Sequence, residues 1–187
     1  MELFDYIAIA FSFVYTTAAI RLIGGLSAAI NKDRRYIVHL LFIVIMIVSI
    51  ITSFWGIWAH RYLEDWKLYK FIFLLIDGAL YYFIATVLVP ENPNEIDSWK
   101  NHYYKNKNKL FYAMLTFLVY IQLNGFVLTG EFHFAPEQFF HLIFIIPIFF
   151  GLWSKNHKVH LAIACFNIIT TFIMMLTVAS EPGWVSH

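Results

Sequence analysis

The chain of 187 residues is 60% hydrophobic and 20% aromatic with only 13% charged residues, against roughly 45–50% apolar and about 25% charged in soluble domains. That balance excludes an ordinary water-soluble domain, and a formal net charge of +1 with no basic block gives no basis for nucleic acid as a partner. A single cysteine, Cys165, excludes an internal disulfide and a thiolate metal cluster.

The apolar residues run long and without strand-like alternation, which argues against an outer-membrane barrel. They predict an all-α integral membrane bundle in a lipid bilayer, one domain of six transmembrane helices at about 5–30, 36–60, 68–90, 109–130, 136–154 and 158–180. The acidic start, Met1-Glu2-Leu3-Phe4-Asp5, has neither a basic region nor a cleavage site, so the first run is expected to be retained as a helix.

A polar side chain in hydrocarbon must face other helices or a wet cavity, so polar spacing predicts the interior. In span one, Ala10, Val14, Thr17, Arg21, Gly24 and Ala28 form a face of small residues around one arginine, suited to close helix approach. Span two carries Ser49, Ser53, Gly56 and His60 on one stripe, and span three carries Asp77 and then Tyr81. In the connection Pro90–Lys109, Asp97 and Ser98 can cap a short interfacial helix before the fourth span. Its Trp99, Tyr103 and Tyr104, set among lysines, suit the headgroup layer; a polar linker with incidental aromatics is the alternative. Span four places Tyr112, Thr116, Tyr120 and Asn124 at four-residue intervals. Span five starts at Pro136 and should bend at Pro147, and span six offers Asn167 with Thr170 or Thr171.

Positive charge divides unevenly between alternate connections. Lys32, Arg34, Arg35, Lys100, Lys105, Lys107, Lys109, Lys155 and Lys158 fall on one side, and Arg61, Lys67 and Lys70 on the other. Nine against three places the first set in the cytoplasm and both termini outside.

Arg21 and Asp77 are the charged residues deepest in their spans, and pairing would neutralise both where a lone charge costs about 2.5–3.5 kcal/mol or more. Such a pair would fix helix packing or line a solute pathway; alternatively, Arg21 snorkels to the surface alone. Glu131, His133, Glu137 and His141 are the densest external group, a candidate divalent-cation site or, alternatively, interfacial histidines in a pH-sensitive gate. No nucleotide loop, nucleophile elbow or HExxH motif occurs, so enzyme activity is disfavoured and no cofactor is specified.

Arg34-Arg35-Tyr36-Ile37-Val38-His39, Phe54-Trp55-Gly56-Ile57-Trp58, Leu88-Val89-Pro90 and His102-Tyr103-Tyr104 together resemble a family of small bacterial multi-pass membrane proteins without an assigned activity. The likeness spans roughly the first 115 residues and departs at Arg21, where the family pattern has another polar residue. It implies a bacterial inner-membrane location and no mechanism. The polar stripes predict a homo-oligomeric bundle that binds or passes a small solute or ion through a cavity bordered by Arg21, Ser49, Ser53, Asp77, Tyr81, Tyr120, Asn124 and Asn167. A non-transporting anchor or sensor subunit, meeting a protein partner on the cytoplasmic side, is the second expectation. An intramembrane enzyme or metal-binding sensor is the third.

Overall fold

The computed structural model describes residues 3–130, 141–177, 179 and 180, and all regular structure in them is helical. The α-helices are α1 (Leu3–Ala29), α2 (Ile37–Gly56), α3 (Leu68–Leu88), α4 (Trp99–Thr129), α5 (Ile145–Trp153) and α6 (His157–Thr177). Short 3-10 turns at Ile57–Tyr62, Pro93–Glu95 and His141–Phe144 join them. Five helices, counting α2 together with its 3-10 extension, are long and apolar enough to cross a membrane. This is the architecture of a multi-pass membrane protein.

The remaining apolar segment, His141–Trp153, is shorter. Pro136 lies outside the described residues, and the α-helix begins only at Ile145, just before Pro147. Proline has no N–H to bond back to Ile143 and its ring crowds that carbonyl, so the chain enters through the tighter His141–Phe144 turn.

The separate interfacial helix expected before the fourth span is not formed. The Ser98 side chain accepts a hydrogen bond from the Asn101 N–H, and the chain then runs as one helix of 31 residues to Thr129. Glycine and proline are absent from that helix until Gly125, so nothing breaks it between the aromatic–lysine stretch and the apolar stretch. Trp99 and Tyr103 are accordingly core residues, 0% and 2% exposed, instead of headgroup-facing ones, while Tyr104 is half-buried.

Helix contacts close a ring in the order α1, α3, α4, α5, α6, α2. α2 and α3 also touch, so α1 packs behind that pair. The inward face of α1 is Ile7, Phe11, Tyr15, Ala18, Leu22 and Gly25, one residue round from the small-residue stripe expected. The reason is local. Thr17 donates its hydroxyl to the Phe13 carbonyl at 2.8 Å and so needs no partner from another helix. Gly25, not Gly24, takes the close approach: a Cβ there would stand 2.3 Å from Val89 Cγ1, whereas Gly24 has open space.

The connections 30–36, 89–98 and 154–156 meet at one end, which carries most of the lysines. The Trp99 N–H donates to the Arg34 carbonyl at 3.1 Å, and Arg34 donates to the carbonyls of Asn94 and Ile96 at 2.7 and 3.0 Å. Inside this lysine-rich end, Trp99 Nε1 donates to the Ala28 carbonyl and Tyr103 bonds His160 Nδ1 at 2.9 Å. Phe42 stacks on Tyr103 and meets Phe111 edge-on, each at 5.8 Å between centroids, filling the centre of the bundle. Lys107 Nζ donates to the Gly151 and Leu152 carbonyls at 3.0 and 2.6 Å, which satisfies the last turn of α5.

Candidate functional site

Beyond Phe42 and Phe111 the bundle is hollow. A cavity of about 580 Å3 begins at Ile45, Ile84, Met114 and Ile148 and runs to Tyr62, Leu63 and Thr129 at the opposite end. Its volume falls in the range of about 300–1,000 Å3 usual for small-molecule pockets. Every helix of the ring contributes to its wall.

Asp77, on α3, is 9% exposed and accepts a hydrogen bond from the Tyr15 hydroxyl of α1. Two residues make this meeting possible. Tyr15 belongs to the inward face of α1, and Gly78, next to Asp77, lets α1 lie so close that a Cβ would stand 2.6 Å from Val14 Cγ1. One turn on, Tyr81 bonds the Ser53 hydroxyl at 2.7 Å and donates to the Ser49 carbonyl at 3.1 Å, tying α3 to α2. Tyr120 of α4 stacks on Phe73 at 4.8 Å and donates to the Phe73 carbonyl at 3.2 Å. On α6, Asn167 is 2% exposed, and its Oδ1 has no hydrogen-bond partner among the described residues.

Ser49, Ser53, Asp77, Tyr81, Tyr120, Asn124 and Asn167, anticipated from the sequence, all line this one cavity. Arg21 does not. Its Nε donates to the Val89 carbonyl at 2.9 Å and its guanidinium lies 5.9 Å from the Tyr82 ring centre. The expected pair with Asp77 is therefore replaced by two separate solutions. Val89 follows the C-terminus of α3, where unpaired carbonyls and the helix dipole attract a cation. Asp77 lies 12 residues earlier in the chain, roughly 18 Å away at 1.5 Å per helical residue.

Span four illustrates a second limit of spacing. Tyr112 and Thr116 are exposed while Tyr120 is buried and Asn124 lines the cavity. A strict four-residue interval turns about 40° per step on a helix of 3.6 residues per turn, so a stripe that long cannot stay on one face. Tyr15 was not among the residues expected to face the interior. The signal was its place in the stripe of large residues Ile7, Phe11, Tyr15 and Leu22.

Of the proposed cation group, Glu131, His133 and Glu137 lie outside the described residues, and His141 borders the cavity near its wide end. Among the described residues, no three His, Cys, Asp or Glu side chains gather in a way that would hold a metal ion. At this end Asp65 bridges Lys67 and Lys70 at 3.4 and 3.5 Å. Desolvation acts upward on the Asp65 carboxyl, and the hydrogen bonds and charges of Lys67 and Lys70 outweigh it, so it titrates below its ordinary range.

No protein-family model, curated protein or solved structure matches the chain. The site's chemistry is therefore read from its own geometry.

Proposed function

We propose that this is a membrane protein that binds a small solute in the cavity between its helices, reached from the end bordered by Tyr62, Leu63 and Thr129. The observation that carries this reading is a cavity of about 580 Å3 whose wall holds a buried carboxyl, Asp77, with no cation beside it among the described residues, and a buried amide, Asn167, whose Oδ1 has no partner there. Burial of such groups costs folding free energy, and a fold that bears the cost has placed them where a ligand can repay it. Below the lining residues Ile45, Ile84, Met114 and Ile148, the rings of Phe42, Tyr103 and Phe111 pack on one another, which favours binding from one side over an open channel. Passage through the bundle would require those rings to part.

The excess of lysine and arginine supports an orientation with the lysine-rich end in the cytoplasm and the cavity mouth outside, and a bacterial inner-membrane placement rests on the resemblance to small bacterial multi-pass membrane proteins. The alternative of an anchor subunit relied on Trp99, Tyr103 and Tyr104 as a contact surface. The first two are buried, and the Tyr104 hydroxyl lies 3.2 Å from that of Tyr36. Purified protein in nanodiscs, titrated with a panel of small aromatic and aliphatic solutes, tests the binding reading. Saturable binding weakened by Asp77→Asn and by Asn167→Leu is expected. Solute affinities that ignore both substitutions would overturn it.

A further inference from the structure

Resting on the cavity reading, we propose that the solute is a protonated organic amine with an apolar body, and that it takes the place of a proton on Asp77.

The argument starts from charge. Among the described residues, no lysine, arginine or histidine nitrogen stands within ion-pair distance of Asp77. Arg21 is engaged at the far end of α3, and Lys70 is held by Asp65. The groups that face Asp77 are neutral hydroxyls: Tyr15 from α1, Ser53 from α2 through Tyr81, and Tyr120 from α4. Asn167 of α6 lines the same cavity. His60 and His141 are the other titratable groups along the wall, besides the tyrosines, and both lie toward the mouth. A tyrosine hydroxyl supplies a hydrogen bond and no charge, so the buried carboxyl must take up either a proton or a cation from outside the chain.

The shape and chemistry of the wall choose between kinds of cation. A bare metal ion needs several oxygen ligands at short range, and a cavity of about 580 Å3 walled mainly by rings and aliphatic chains cannot close around one. Aromatic faces attract weakly hydrated organic cations instead. Tyr15 and Tyr81 lie 5.8 Å apart between centroids, and Phe117 packs against Tyr81 at 4.7 Å. The Asp77 carboxylate accepts hydrogen bonds, which favours an ammonium that still carries N–H over a quaternary one.

Exchange follows. As the ammonium enters, the O–H bond of the Asp77 acid breaks, the proton leaves to bulk water and the carboxylate remains as counter-ion. One positive charge replaces another, and no other reactant takes part.

Phenethylamine and its neutral counterpart phenethyl alcohol, titrated by calorimetry in weakly buffered phosphatidylcholine nanodiscs with empty nanodiscs subtracted, test this directly. The amine is expected to bind with release of a proton and the alcohol without one. Asp77→Asn should weaken the amine by more than about tenfold, abolish proton release and leave alcohol binding in place. Should Asp77→Asn fail to fold, Tyr15→Phe decides, since it removes the hydroxyl that supports the carboxylate: a reduced preference for amine over alcohol supports the proposal, and an unchanged preference counts against it. Equal binding of amine and alcohol by wild type and Asp77→Asn would overturn the cation assignment and leave the cavity reading standing. Binding of neither would remove both. Repeating the titration in phosphatidylethanolamine separates two sources of the same ammonium. Weaker amine binding there assigns the lipid headgroup, and unchanged binding assigns a soluble amine.

Discussion

The two halves of the bundle are built to opposite standards. At the lysine-rich end, polar side chains close on one another or on backbone: Lys107 on α5, His160 between Tyr103 and the Ser154 carbonyl, and Tyr36 between Tyr104 and His157. His39 is the exception. It stacks on Trp99 at 4.7 Å and faces the Leu88 carbonyl without closing a regular hydrogen bond. In the other half the helices stand apart around a void, where Asp77 has no cation beside it among the described residues and Asn167 Oδ1 has no partner there. Close packing and satisfied polar groups are what stability rewards. The void in one half, where the other is filled, marks the hollow half as the part shaped for something other than stability.

Substitutions at the packed end should therefore be costly, and substitutions at the cavity should be tolerated. Trp99→Ala would leave a void where an indole is fully buried and is expected to destabilise by about 3–5 kcal/mol, read as an earlier melting transition in detergent. Lys107→Met strips two carbonyls of a charged donor and should cost about 2 kcal/mol by the same assay. At the hollow end the sign should reverse. Asn167→Leu removes an unpaired buried acceptor and should stabilise by about 1 kcal/mol while weakening solute binding. A large loss of stability from that substitution would erase the contrast between the halves.

The smallest effect sharpens the comparison by orienting it. In a Cys165→Ser background, Lys100→Cys and Glu64→Cys should leave stability unchanged, both sites being exposed. A membrane-impermeant maleimide applied to intact cells should label the cysteine at position 64 and not the one at position 100. The reverse pattern would place the cavity mouth on the cytoplasmic side.

Much of the fold was legible in one dimension. Long apolar runs placed α1, α2, α3 and α6 to within a few residues, whereas the starts of α4 and α5 lie about ten residues from those expected, and Pro147, expected to bend span five, stands at the start of α5. The continuity of α4 was misread because a change of composition at Lys109 resembles a boundary, yet the backbone continues wherever no residue forbids it. The cavity residues on α2, α3 and α6 were likewise visible, since amide, carboxyl and stacked hydroxyl groups in hydrocarbon have few places to go.

By itself the sequence determined that the chain is built of apolar helices and that Asp77 and Asn167 turn inward, because both follow from the cost of exposing polar groups to lipid. Only the tertiary structure decided the rotation of α1, and with it that Tyr15 instead of Arg21 meets Asp77. Helical serine and threonine can satisfy themselves on their own backbone, and a long arginine can reach any of several carbonyls. Neither constraint is written in residue spacing, so the choice falls to the close approach that Gly25 and Gly78 permit between α1 and α3.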